Sequence, residues 1–232
     1  MTLTDDPRRI ESRPAGPKME IVNPLLAPLT LLHAYSQGIF PMDVEGELQW
    51  FSPPRRAILP LDGLHVPRTL RQLINQGRYE IRIDTAFGGV MEACGDRPVG
   101  TWISREIVQA YLHLHELGFA HSVEAWRDGQ LAGGLYGVAL GAAFFGESMF
   151  YRQRDASKVA LVALVEHMCR CDYRLLDVQY STPHLQRFGI VSVPRAEYLK
   201  RLTQAIRLER SFAPNSGGDA QLAASSKDVS GP

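Results

Sequence analysis

Two short stretches of the 232-residue chain hold side chains whose types and spacing could do chemistry. The first is GAAFFGESMF (141–150), an apolar run with one carboxylate, Glu147, in its middle. A carboxylate inside strand-like sequence needs a charge partner or hydrogen bonds to be tolerated, so its presence asks what it faces. The second is RLLDVQY (174–180), where Asp177 and Gln179 stand two apart and share a strand face while Val178 points away. A carboxylate beside a primary amide offers acceptors to an amine, and Asp177 can fix which way the Gln179 amide points. If the two strands lie close, Glu147, Asp177 and Gln179 ring one polar spot in a Met- and Phe-lined pocket. Such a pocket suits an apolar side chain with an amine next to it. Alternation along 142–150 puts Phe145, Glu147 and Met149 on one side and Phe144, Gly146, Ser148 and Phe150 on the other, unless a bulge at Gly146 disturbs the count. On the residues alone a plainer reading stays open, with Asp177 capping a turn and Glu147 paired with an arginine.

Other chemistries find little support. Ser148 in GESMF is not the elbow of a serine hydrolase. Glycines 133, 134, 137 and 141 lack the phosphate-loop pattern, and close backbone approach is their expected use. Cys94, Cys169 and Cys171 form neither a disulfide framework nor a zinc-ligand pattern, and His113 and His115 point in different directions from one helix, so no metal is expected. The formal net charge is zero, so composition makes no case for nucleic acid. Between Ser52 and Arg82, however, Arg55, Arg56, Arg68, Arg71, Arg78 and Arg82 stand against only Asp62 and Glu80. That is a modest positive face, or else a solvated surface.

The elements that must position these residues mix both periodicities. Helices are expected at 29–38, ended by Gly38 with Thr30 as a cap, and at 66–77, 85–94, 104–118 with Ser104 as cap, 157–170 and 193–206. Strands are expected at 79–84, 120–126, 130–140, 142–150 and 174–180, the second and third joined by an Asp128-Gly129 turn. The stretch 39–63 reads as irregular. A meander followed by helix-separated strands argues an α+β fold over a mostly antiparallel sheet. The expected organisation is a flexible tail at 1–20, a small N-terminal domain and junction at 21–60, a main domain at 61–210 and a second tail at 211–232. The polar, Pro-rich start and the lack of a long apolar run lead to the expectation of a cytoplasmic protein without a membrane partner.

With these residues in view, the chain resembles the leucyl/phenylalanyl-tRNA-protein transferases. The matching stretches are AYSQGIFPM (34–42), WFSPPRRAILP (50–60), TWIS (101–104), HELGFAHSVEAW (115–126), GGLYGVALGAAFFGESMF (133–150), DASKVAL (155–161), LLDVQYSTPHL (175–185) and VPRAEYL (193–199). They run in family order over most of the chain. The resemblance implies a C-terminal domain similar to the GCN5-related N-acetyltransferase fold, with a small N-terminal α+β domain beside it. It implies transfer of leucine, and less readily phenylalanine or methionine, from aminoacyl-tRNA to the α-amino group of proteins beginning with Arg or Lys, which marks them for degradation. Asp177 and Gln179 match the family's catalytic pair, and Glu147 its pocket glutamate. The side-chain pocket matches Leu135, Phe144, Met149, Leu161, Met168 and Leu176, and the tryptophans that hold the terminal adenosine match Trp50 and Trp102. Arg55, Arg56, Arg68, Arg71 and Arg78 are the candidate contacts to the tRNA backbone. Departures are Phe51 in place of a frequent second Trp, an N-terminal stretch without the usual Gly-Gly-Asp turn, Asp155 for Asn, and Arg187-Phe188-Gly189 for Ser-Leu-Gly, a segment that would then face tRNA or peptide.

An aminoacyl-tRNA already carries an activated ester, so this transfer needs neither ATP nor another cofactor, and direct aminolysis is expected. In that scheme Gln179 orients the amine, Glu147 faces a substrate cation, and the proton leaves through Asp177 or the ribose hydroxyl. A monomer is the expected state. Two rivals remain: a CoA-dependent N-acetyltransferase, against which YRQRDAS lacks the glycines of a pyrophosphate loop, and a non-catalytic protein that binds the charged tRNA 3′ end.

Overall fold

The computed structural model describes residues 23–98 and 100–212, so the expected tail at 1–20, and all but two residues of that at 211–232, lie outside the described residues. In chain order the elements are α1 (Pro28–Ser36), β1 (Phe40–Val44), β2 (Glu47–Phe51), β3 (Arg55–Leu59), α2 (Arg68–Asn75), β4 (Glu80–Ile83), α3 (Phe87–Gly95), α4 (Arg105–Glu116), β5 (Ala120–Arg127), β6 (Gln130–Leu140), β7 (Ala143–Tyr151), α5 (Ala156–Arg170), β8 (Leu175–Gln179), α6 (Pro183–Gln186), β9 (Val191–Pro194) and α7 (Arg195–Ile206). Ser104 caps α4 by accepting from the Ile107 amide, as its position in the sequence suggests. Thr30 caps nothing: it lies inside α1, and its hydroxyl donates to the Pro24 carbonyl.

The stretch read as irregular is ordered into strands. Phe40–Val44 and Glu47–Phe51 pair as a two-stranded hairpin about Glu45-Gly46, both at positive φ. The Pro-rich flanks hid the short period-two segments between them. The next strand, Arg55–Leu59, belongs to the large sheet, although it falls inside the span assigned to the small N-terminal domain and junction.

That sheet has seven strands in the order β4-β5-β6-β7-β8-β3-β9, antiparallel throughout except for β7 and β8. The parallel pair is linked by α5, as a parallel connection requires. Helices cover both faces. Residues of α1, α3, α4 and α7 pack with Tyr136, Val138 and Phe145 on one side. Those of α2 and α5 pack with Val123, Leu135 and Phe144 on the other. The α+β expectation therefore holds. Phe212 is buried against His121, Phe144, His167 and Tyr173, so the last described residue closes the second core rather than beginning a free tail.

Two irregularities in this sheet shape everything that follows. The β7–β8 ladder runs for only three registered pairs, from Ala143↔Leu175 to Phe145↔Asp177, and the strands then part. At the same level, Tyr136 pairs with Ser148 and Gly137 with Gly146, leaving Glu147 as the extra residue of a bulge. A Cβ on Gly137 would lie 2.2 Å from the Phe145 carbonyl oxygen, so only glycine lets β6 approach β7 there.

Candidate active site

The bulge sets the direction of Glu147. Phe145 and Phe150 belong to one core, whereas Phe144 and Met149 belong with Leu135 to the other. Simple alternation, which grouped Phe145, Glu147 and Met149, is thus corrected: the extra residue reverses the count between Phe145 and Met149. Glu147 stays on the Phe145 side, where the ring of Tyr35 of α1 meets that of Phe145 at 4.9 Å in a tilted arrangement and its hydroxyl donates to Glu147 Oε1 at 2.7 Å. Tyr111 of α4 is hydrogen-bonded to the Tyr35 hydroxyl, which completes a buried relay from Tyr111 through Tyr35 to Glu147. Burial first, and then the Glu147 charge, push the Tyr35 phenol well above its usual range, so it stays a donor. Burial likewise raises Glu147 to about 8, with the Asp177 charge adding to the rise and the Tyr35 hydrogen bond and Arg56 opposing it. The hydroxyl of Tyr136, whose ring meets Tyr111 edge-on, has no partner among the described residues.

Asp177 does something different from what its spacing suggested. It is 0% exposed and accepts five hydrogen-bond contacts that between them use both oxygens. Arg56 supplies three, from Nε shared between Oδ1 at 2.9 Å and Oδ2 at 3.0 Å and from Nη2 to Oδ2 at 2.7 Å. The Tyr198 hydroxyl reaches Oδ2 at 2.7 Å, and the backbone N–H of Gln179 reaches Oδ1 at 2.9 Å. A carboxylate has about four lone-pair sites, so this one is filled. The guanidinium is held in turn by the Gly38 carbonyl and lies between the rings of Phe40 and Tyr198, 4.6 and 4.8 Å from their centroids. Arg56 is 1% exposed, so the expectation that it touches tRNA phosphates is overturned: its charge is spent on Asp177.

Gln179 carries the strain of this arrangement. Its φ is +55°, a region a residue with a side chain seldom adopts, and Tyr180 N–H turns back to the Val178 carbonyl at 2.6 Å. Asp177 secures the turn through the backbone N–H rather than by touching the side-chain amide. That turn also breaks the strand alternation, so Val178 joins Gln179 in lining the site instead of pointing away. The Gln179 Nε2 donates to Glu147 Oε1 at 3.4 Å, which leaves the amide oxygen for a ligand.

The parting of β7 and β8 opens a small apolar cavity of about 90 Å³, lined by Leu135, Met149, Leu161, Leu164, Leu176 and Val178, with Glu147 and Gln179 at its polar end. Of the expected pocket residues, Leu135, Met149, Leu161 and Leu176 line it. Phe144 and Met168 do not; both are fully buried behind it, Phe144 stacked on Phe212. A second cavity of about 230 Å³ adjoins the first across Glu147, Met149 and Gln179 and reaches Trp102, Phe40, Tyr180 and Arg97. Trp102 is therefore at the site. Trp50 sits half-buried on β2 opposite Pro41, packed against the core, and lines neither cavity. Arg55, Arg68, Arg71 and Arg78 are exposed; Arg68 and Arg71 lie on α2 and Arg78 just after it, whereas Arg55 stands on β3, separated from β4 by four strands. In Arg187-Phe188-Gly189 the phenylalanine is buried, whereas Arg187 is exposed. Sequence reasoning did not single out Tyr35, Tyr111 and Tyr198. The first two sit in apolar helical stripes, where a tyrosine reads as core.

Comparison with known proteins gives the family. Residues 58–203 match the family model described as leucyl/phenylalanyl-tRNA protein transferase, and residues 25–54 match its N-terminal domain. A leucyl/phenylalanyl-tRNA–protein transferase of Herpetosiphon aurantiacus is 51% identical over 81% of this chain and 98% of its own. One of Rubrobacter xylanophilus is 53% identical over 81% of this chain and 99% of its own. Among solved structures, a GCN5-related N-acetyltransferase-like protein of Streptococcus suis aligns with a TM-score of 0.33 at 13% identity, covering 69% of this chain and 61% of that one.

Proposed function

The chain belongs to the leucyl/phenylalanyl-tRNA–protein transferase family and is an aminoacyltransferase acting on aminoacyl-tRNA and protein; from that premise we propose that it transfers leucine, and also phenylalanine or methionine, to the N-terminal α-amino group of proteins beginning with Arg or Lys, so marking them for degradation. The observation that carries this reading is the Glu147–Gln179 contact at the junction of a narrow apolar cavity and a wider one that reaches Trp102. The aminoacyl side chain fills the first. The terminal adenosine lies in the second on Trp102, as base stacking on an aromatic ring allows. The ester then falls between them, beside the Gln179 amide oxygen.

In the reaction the acceptor nitrogen attacks the ester carbonyl, the new amide bond forms, and the ribose oxygen leaves with a proton. Gln179 accepts a hydrogen bond from the amine and aims it. An N-terminal amine has a reference pKa near ~8, so an appreciable fraction is neutral without a strong base. Asp177 has no free lone pair and is a positioning residue, held by Arg56 and Tyr198. Glu147 takes the proton that the amine loses and returns one to the leaving oxygen. A group raised to about 8 is matched to that exchange. Selection of the side chain comes from cavity shape, at about 1–3 kcal/mol per methylene.

The test is transfer of radiolabelled leucine from Leu-tRNA to matched peptides beginning with Arg, Lys, Asp or Ala, without ATP or CoA. Label on the Arg and Lys peptides alone is expected. No label on any peptide, with the tRNA charged and the protein folded, would overturn the proposal in favour of a protein that only binds the charged 3′ end.

A further inference from the structure

The wider cavity continues past the site. Arg97 and Met149 are shared between it and a third hollow of about 360 Å³, which is also lined by Asp96, Phe150, Tyr151 and Arg152. Three features of this extension stand out. Arg97 is exposed yet fixed: its Nε donates to the Cys94 carbonyl at 3.0 Å and its Nη2 to Ser148 Oγ at 2.7 Å. Three of its five N–H donors remain for a ligand. Arg152 lies over the Phe150 ring at 5.5 Å and donates from Nη1 to the Leu131 carbonyl at 3.4 Å, and neither guanidinium is ion-paired among the described residues. Tyr151 is 70% exposed between them in sequence, a large aromatic ring left in water.

Two arginines without a carboxylate partner among the described residues, beside a bare aromatic ring in a groove that starts at the reacting groups, are the parts of a single-strand nucleic-acid track. Asp96 lines the same hollow, leaving two cations against one anion. We infer that this groove binds the nucleotide preceding the terminal adenosine of the aminoacyl-tRNA, with phosphates on Arg97 and Arg152 and a base stacked on Tyr151. The inference rests on the proposed function, since Arg97 lines the same cavity as Trp102, on which the adenosine is proposed to lie. It also adds an electrostatic contact at residues that no charge run marks.

The test uses two donors, Leu-tRNA and 3′-leucyl-adenosine, which carries no phosphate, with one Arg-initiated peptide. Arg97→Ala, Arg152→Ala and Tyr151→Ala are each expected to lower kcat/KM for Leu-tRNA by about tenfold more than for leucyl-adenosine. The slope of log kcat/KM against log salt should flatten by about 0.7 for each arginine removed, as for one phosphate of a single strand. Equal losses on both donors, or no loss on either, would overturn the groove. A wild-type protein that transfers leucine from neither donor would instead overturn the proposed function beneath it.

Discussion

The Arg56→Met protein is expected to lose roughly 3–5 kcal/mol of stability, the usual result of stripping one partner from a buried ion pair. Asp177, wholly buried, would keep only Tyr198 and the Gln179 N–H as partners. Its charge would then be uncompensated in the core, and the midpoint of urea unfolding should fall accordingly. A double variant, Arg56→Met with Asp177→Leu, separates stability from function. Replacing both charges with apolar groups of similar size is often neutral, so most of the stability should return. Transfer should not return, because a leucine cannot hold the N–H that keeps Gln179 at its positive φ. Recovery of transfer along with stability would show that the clamp does not position Gln179.

The second large effect is on Glu147, and it has opposite signs for activity and stability. Burial raises this carboxyl from a reference of 4.5 to about 8. The folded protein therefore keeps a proton that the unfolded chain has released, and stability falls as pH rises through that window. Glu147→Gln removes the titration while keeping an acceptor for the Tyr35 hydroxyl. The variant should be more stable than the parent at pH 8–9 and little changed near pH 4, read from thermal midpoints across the range. At the same time its rate of leucine transfer should drop by about 10²–10⁴-fold, the range for loss of a general base. Stability that did not diverge with pH would mean that Glu147 does not hold its proton in the folded state.

Much of this site was legible in the sequence. Glu147, Asp177 and Gln179 were each odd for their surroundings, and the strands that carry them were clear from alternation and flanking glycines. Their roles were less legible, for identifiable reasons. A bulge shifts the count by one residue, and nothing in FFGESMF says on which side of Gly146 the extra residue falls. Arg55 and Arg56 look alike in WFSPPRRAILP, and only the strand pairing shows that one lies on Ser192 at the surface while the other is sealed under Phe40 and Tyr198. Once β3 is known to be a strand, Arg56 shares a face with Ile58, and that would have been the signal. Phe212 could not be read at all: an aromatic residue before a Pro-, Ser- and Gly-rich run looks like linker, and its burial depends on His121, Phe144, His167 and Tyr173 from distant elements.

The mechanism turns on which carboxylate exchanges the proton. The direct measurement is the pH dependence of single-turnover leucine transfer for the parent, Glu147→Gln and Asp177→Asn proteins. The logarithm of the parent rate should rise toward pH 8 with a slope of about two, one proton lost from the acceptor amine and one from Glu147, with the same slope at lower amplitude in Asp177→Asn and a slope of about one, from the amine alone, in Glu147→Gln. A slope of about two that survives in Glu147→Gln and falls to about one in Asp177→Asn would contradict this and return the proton to Asp177.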